Sequence, residues 1–200
     1  MRVDDVAGEQ PGQPVEEEVT EAESEFQVRY KSKSKASAGS FTTPANAEAP
    51  LKEALDRIAE QTNDDLDEFV RGKLGYATVE DLHAAYFGTQ IDALAMAIHQ
   101  IDRESALIIG DQTGTGKGRV GAGTMQYARR LGKTPIFFSA KENLFNDMAR
   151  DLTAIGHGDW NIFAFNNNES ITREDGSAMI KKIGDAKHAQ GLANLGNFDA

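Results

Sequence analysis

Cysteine is absent from the 200-residue chain, which excludes a disulfide framework and any thiolate metal site. No apolar run approaches the roughly 20 residues that a membrane-spanning helix needs, and Met1 is followed by acidic residues instead of a basic and apolar leader. The expectation is a soluble, cytoplasmic protein without a membrane partner. Positive charge is also scarce: 21 Lys and Arg stand against 32 Asp and Glu, a formal net charge of -11. A surface that clings to phosphate backbones throughout is thereby excluded, and any contact with nucleic acid must be local. The length leaves room for one domain with appendages but not for a large second one, since single domains mostly run from about 100 to 200 residues.

Large apolar residues are few from Met1 to Glu25, and such a stretch cannot bury enough surface to order itself. The charge reverses at Arg29, Lys31, Lys33 and Lys35, interleaved with serines. That segment either touches phosphates, or is a solvated linker or a strand packed on the domain behind it. Residues 1–45 as a whole are expected to form a disordered tail, acidic and then basic. Residues 46–88 read as a small helical region. Leu51, Ala54, Leu55 and Ile58 recur at helical spacing, and Leu66, Phe69, Val70 and Leu74 repeat the pattern before Gly75. Thr78, with Asp81 three residues later, marks another helix start.

Residues 89–200 carry a different pattern. Ile91, Leu94, Ala95, Ile98 and Ile101 line one face of a helix that starts near Gln90. Short apolar runs then alternate with helical spacing: Ala106–Ile109, a helix over 119–131, Pro135–Phe138, a helix over 142–155, and Trp160–Phe165. A weak helix is expected near 177–183. Strands alternating with helices predict an α/β fold with a parallel sheet covered on both faces.

Between the first run and its helix lies Asp111-Gln-Thr-Gly-Thr-Gly-Lys-Gly118. A loop that holds a triphosphate needs glycines so that successive N–H groups converge on anionic oxygens, a helix start behind them, and one mobile cation. Gly114, Gly116 and Lys117 meet those demands in the strand-to-helix context that raises such a match above chance. Two positions depart from the usual Gly-x-x-x-x-Gly-Lys-Ser/Thr pattern. Asp111 replaces the first glycine, and Gly118 stands where a hydroxyl normally meets magnesium. The magnesium ligand is thus unassigned; Thr113, Thr115, a water or an acidic motif are the candidates.

Ile109-Gly-Asp-Gln-Thr-Gly-Thr-Gly-Lys-Gly-Arg119 resembles the first motif of the strawberry notch family of superfamily 2 helicases, where a Gly-Lys-Gly-Arg ending is habitual. The similarity continues through Phe137-Phe-Ser-Ala-Lys-Glu-Asn-Leu144 and Arg150-Asp-Leu152, and Gln90-Ile-Asp-Ala-Leu94 resembles the glutamine motif with which such enzymes read adenine. The helical region and its Lys-Ser-Lys-Ser-Lys lead are similar to large phage and plasmid proteins of the defence-against-restriction type. The resemblance implies a RecA-like sheet, whole or in part. It further implies an ATP-dependent translocase on DNA or RNA, DNA in preference, with ATP and Mg2+ as cofactors and a host cytoplasm or virion as its location. The nucleotide contacts it implies are Gln90, Gln112, Thr113, Gly114, Thr115, Gly116, Lys117, Gly118 and Arg119, with Lys117 as the catalytic cation. Arg119 has the alternative of binding a neighbouring carboxylate.

Ser139 and Lys141 close the second apolar run, at the sheet edge where ligands of open parallel sheets collect, and are the expected nucleic-acid contacts; a helix-capping serine, a solvated lysine and, at Gln90, a surface glutamine capping a helix are the alternatives. His83, His99, His157 and His188 show neither metal-ligand spacing nor a nucleophile partner and read as structural, as Trp160, Phe163 and Phe165 read as core. No Asp-Glu-x-His-like box, later arginine finger or second motor lobe is visible, so the rest of the motor is an expected partner. The rival expectation is a non-catalytic virion-associated or antirestriction interaction protein that keeps the nucleotide fold. Nucleotide binding without turnover follows, because phosphoryl transfer also needs a positioned water and metal. A steady-state phosphate-release assay is expected to give no release above a Lys117→Ala blank. Release stimulated by nucleic acid would instead assign the catalytic carboxylate to Asp159, Glu169, Glu174 or Asp175.

Overall fold

A computed structural model describes residues 26–39, 41–110, 114–141, 143–162, 171–172, 178–180 and 199. The elements in chain order are β1 (Gln27–Arg29), β2 (Thr42–Pro44), α1 (Ala45–Gln61), α2 (Leu66–Leu74), α3 (Val79–Ala85), α4 (Gly88–Ile101), α5 (Lys117–Arg130), α6 (Asn143–Ala154), β3 (Ile171–Thr172) and β4 (Ala178–Ile180). Among these residues no helix is long and apolar enough to cross a membrane.

The helices begin and end where local chemistry says they should. Thr78 and Asp81 form a reciprocal capping box, each side chain accepting the other's backbone N–H at 3.1 Å. Gly75 stops α2 in the left-handed conformation at φ 83°, its N–H donating to the Arg71 carbonyl. Asp65 caps the start of α2 by accepting from the Glu68 N–H at 3.1 Å.

Helix α4 lies at the centre, with α1, α2 and α5 packed around it. Ile91, Leu94, Ala95 and Ile98 are fully buried, and the core extends to Leu55 and Ile58 of α1, Val70 and Leu74 of α2, Val120 of α5 and Leu152 of α6. Each such aliphatic side chain stabilises the fold by about 1.5–3 kcal/mol relative to leaving it in water. A methyl group at Gly123 would sit 2.8 Å from Leu94, so a glycine there lets α5 lie close on α4. The core runs without a break across residue 88, where the helical region was expected to give way to the nucleotide domain.

Residues 26–39, expected within a disordered tail, are packed. β1 pairs antiparallel with β2 in the register Gln27↔Pro44, Val28↔Thr43 and Arg29↔Thr42. The reason is a set of partners far along the chain. Asp92 of α4 is wholly buried and accepts from the Tyr30 hydroxyl at 2.8 Å and from the Lys33 and Ser34 N–H groups at 3.0 Å each. Burial pushes the Asp92 carboxyl above the usual range, and these hydrogen bonds oppose that rise. The Lys35 N–H donates to buried Asp67 at 2.9 Å, and His83 Nε2 lies 3.1 Å from the same oxygen. The lysine heads reach Asp56 and Asp65 at 2.7 and 3.0 Å. Hydrogen bonds from Lys33 and Lys52 hold the Asp56 carboxyl down to about 2. Residues 1–25 of the expected tail lie outside the described residues.

The expected parallel sheet is not formed among the described residues, where the pairing consists of two antiparallel two-stranded ladders. Residues 106–109 and 134–139 carry no ladder partner. They keep the alternation of a strand: Leu107, Ile109 and Phe137 are half-buried, whereas Ile108, Ile136 and Phe138 are exposed. One side rests on the helices, as where Phe137 meets Phe145 edge to face at 5.9 Å. The side chains thus satisfy the period of two, but a ladder also needs a neighbouring backbone. Trp160–Ile162 belongs to no ladder among the described residues, and Phe163 and Phe165 lie outside them. Where a weak helix was expected near 177–183, Ala178–Ile180 instead pairs with Ile171–Thr172.

Replacing Asp92 by Asn puts an amide donor against the Lys33 or the Ser34 N–H, groups that can only donate. Asp92→Asn is expected to lower the unfolding free energy by about 1–3 kcal/mol in urea titration and to open residues 30–36 to limited proteolysis. An unchanged midpoint would show that the segment is held by its surface ion pairs alone.

Candidate nucleotide site

Helix α5 starts directly behind the glycine loop. Gly114 and Gly116 both have positive φ, 92° and 80°, a conformation costing other residues roughly 1–2 kcal/mol. Gly116 is the residue at which the chain turns into the helix, and the Arg119 N–H donates back to its carbonyl at 3.0 Å. The first N–H groups of a helix have no acceptor within it and sit at the positive end of its dipole, which makes such a start suited to anionic oxygens. Lys117 is the first helical residue and is half-buried at that end.

Gln90 fixes the loop from the side. It is buried, and its Oε1 accepts the Phe87 N–H at 3.0 Å, which closes the first turn of α4 and determines which way the amide faces. Its Nε2 then abuts Gly116, where any β-carbon would overlap it. The starts of α4 and α5 are thereby locked together through one amide. Beside them opens a cavity of about 320 Å³, within the size range of small-molecule sites. Tyr30, Phe41, Met96 and Ile109 give it a largely apolar wall, and Gln90 and Thr115 bring polar groups to it.

Arg119 lies against a neighbouring carboxylate. Its Nη1 donates to the Ala85 carbonyl at 2.9 Å, and its Nε is 3.6 Å from Asp151 Oδ1. That Nε is buried and has no hydrogen-bond partner among the described residues. The other oxygen of Asp151, Oδ2, sits where a β-carbon on Gly118 would project. Ser139 ends the extended segment 134–139, and Lys141 follows two residues later. The Ser139 Oγ accepts the Lys141 N–H at 3.1 Å and donates to its carbonyl at 3.0 Å, so the serine closes a local turn and leaves the Lys141 side chain exposed. Gln112 and Thr113 lie outside the described residues.

With the loop, Gln90 and Arg119 placed, the decisive comparison is with known families. The model for the P-loop containing NTP hydrolase pore-1 family matches residues 53–186, about two thirds of the chain. The chain belongs to this family. Neither a curated protein nor a solved structure matches it. Asp111–Gly118, Gln90, Arg119 and Asp151 all lie inside the matched region.

Two contributions to the site were not foreseen from sequence. The cavity wall from Tyr30 and Phe41 had no local signal, because both sit in a stretch whose composition reads as a linker. Asp151 did have one: a glycine where a hydroxyl is usual leaves space that another side chain must fill. Gly116→Ala is expected to cost about 1–3 kcal/mol, combining a strained φ with the overlap on Gln90, and to be read in urea unfolding. A variant as stable as the wild type would mean that Gln90 does not hold the loop.

Proposed function

We propose that the chain binds ATP with Mg2+ through its phosphate loop and forms the nucleotide-binding front of a helicase-like ATPase that acts on nucleic acid, DNA in preference to RNA. The observation that carries this reading is the meeting, within the pore-1 match, of the Gly116–Lys117 helix start with Gln90 and the apolar cavity. A purine base is flat and largely apolar on its faces, and the cavity offers it aromatic and aliphatic walls beside the loop. Gln90 has its carbonyl committed to Phe87, so its contribution to base recognition is the Nε2 donor. Lys117 supplies a point charge on a flexible stem for the β- and γ-phosphates. Mg2+, when bound with the nucleotide, neutralises charge on those same oxygens.

The helicase-like part of the reading rests on the strawberry notch resemblance of the loop and of residues 137–144 and 150–152. The alternate burial of residues 106–109 and 134–139 supports their being strands of a RecA-like sheet. In such a sheet Lys141, exposed at the end of its segment, faces the phosphates of a bound strand, with Ser139 setting its position. A phage or plasmid origin, and work in the host cytoplasm or virion, belong to the same reading.

Titration of a fluorescent ATP analogue in the presence of Mg2+ tests it. Lys117→Ala is expected to weaken binding by about 1.5–3 kcal/mol, roughly ten- to a hundredfold, with little change in melting temperature. Equal affinities for the two proteins would overturn the assignment of the loop.

A further inference from the structure

We propose that Asp151 is the side chain that meets the metal of a bound Mg–nucleotide, in place of the hydroxyl that residue 118 lacks. The proposal rests on the nucleotide-binding reading above and adds to it a residue from outside the loop.

Phosphate loops of this type end in Ser or Thr, whose hydroxyl goes to magnesium. Here the position is Gly118, which offers no side-chain oxygen. Its missing side chain is not replaced by solvent. Asp151 reaches across from α6 and lays Oδ2 in the space where a β-carbon on residue 118 would project. A carboxylate oxygen thus stands beside Gly118 in the first turn of α5, delivered by a different helix. Magnesium is a hard cation that takes oxygen ligands, carboxylates among them, so the replacement suits the metal at least as well as a hydroxyl would.

A purely structural account makes Asp151 the partner of Arg119, and the geometry fits that account poorly. The Nε to Oδ1 separation of 3.6 Å is beyond a hydrogen bond, and the buried Arg119 Nε has no hydrogen-bond partner among the described residues. The carboxylate leans on Gly118 instead of closing on the guanidinium. Arg119 is held at Nη1 by the Ala85 carbonyl, with Oδ1 the carboxylate oxygen toward its Nε and Oδ2 against Gly118. The same arrangement explains why residue 118 is glycine: a serine there would collide with the oxygen that does its work.

Charge gives the proposal a signature that packing cannot imitate. Without a cation, a carboxylate beside a triphosphate repels it; with a cation between them, the carboxylate attracts. The full chain is titrated with the fluorescent ATP analogue in EDTA and in saturating Mg2+, alongside Asp151→Asn and Asp151→Ala/Gly118→Ser, in which the alanine leaves room for the hydroxyl, with melting temperatures as the check on folding. The expected result has two parts of opposite sign. Asp151→Asn binds the metal-free nucleotide as tightly as wild type or more tightly, yet loses at least about tenfold of the affinity gained from Mg2+. The double variant, with a hydroxyl returned to the loop, recovers part of that gain. An Asp151→Asn protein that keeps the wild-type gain, or one weakened equally in both conditions with a lowered melting temperature, overturns the proposal and leaves the nucleotide site standing. A wild-type chain that binds no nucleotide, or no better than Lys117→Ala, overturns the underlying reading and this proposal with it.

Discussion

Helix α4 is buried on nearly every side, and a polar group on such a helix must find its hydrogen bonds inside the protein. Two of its side chains meet that demand in ways that organise the rest. Asp92 gathers the Tyr30 hydroxyl and the N–H groups of Lys33 and Ser34, which ties the N-terminal segment to the core. Gln90, two residues earlier and so about 200° around the helix, takes the Phe87 N–H and turns its other end on Gly116. The apolar face of the same helix receives α1, α2 and α5. One element thus anchors the hairpin, the core and the phosphate loop.

The loop is accordingly less autonomous than its sequence suggests. Its glycines permit the backbone path, but the path is selected by side chains from either side: Gln90 against Gly116 and Asp151 against Gly118. Both glycines serve as receiving surfaces for polar groups from α4 and α6. A site that must grip a highly charged ligand gains from this arrangement, since pre-ordered donors do not have to be immobilised when the ligand arrives.

The helices were legible because their signals are local. Thr78 with Asp81, Gly75, and the spacing of Ile91, Leu94, Ala95 and Ile98 each act within a few residues, and each appears where the pattern put it. The phosphate loop was legible for the same reason. The basic segment was not. Lys33 and Lys35 look like linker residues until Asp56 and Asp65 are brought beside them, and Asp92 lies 58 or more residues from the N–H groups it binds. The apolar runs at 106–109 and 135–138 show the opposite case: their alternation is local and present, but pairing depends on a neighbouring backbone that periodicity does not specify. Asp151 was hidden because its role depends on two helices meeting, although Gly118 marked the position it fills.

The β1–β2 hairpin has a practical meaning for where this domain begins. The family match opens at residue 53, within α1, yet Tyr30, Phe41, Thr43, Pro44, Ala47 and Leu51 all border the cavity beside the loop. A boundary drawn at the start of the shared region would slice through the chamber and remove one of its walls. The stretch with the least recognisable sequence is therefore a custodian of the pocket, and differences between relatives in that stretch would alter what the pocket admits while the phosphate loop stayed the same.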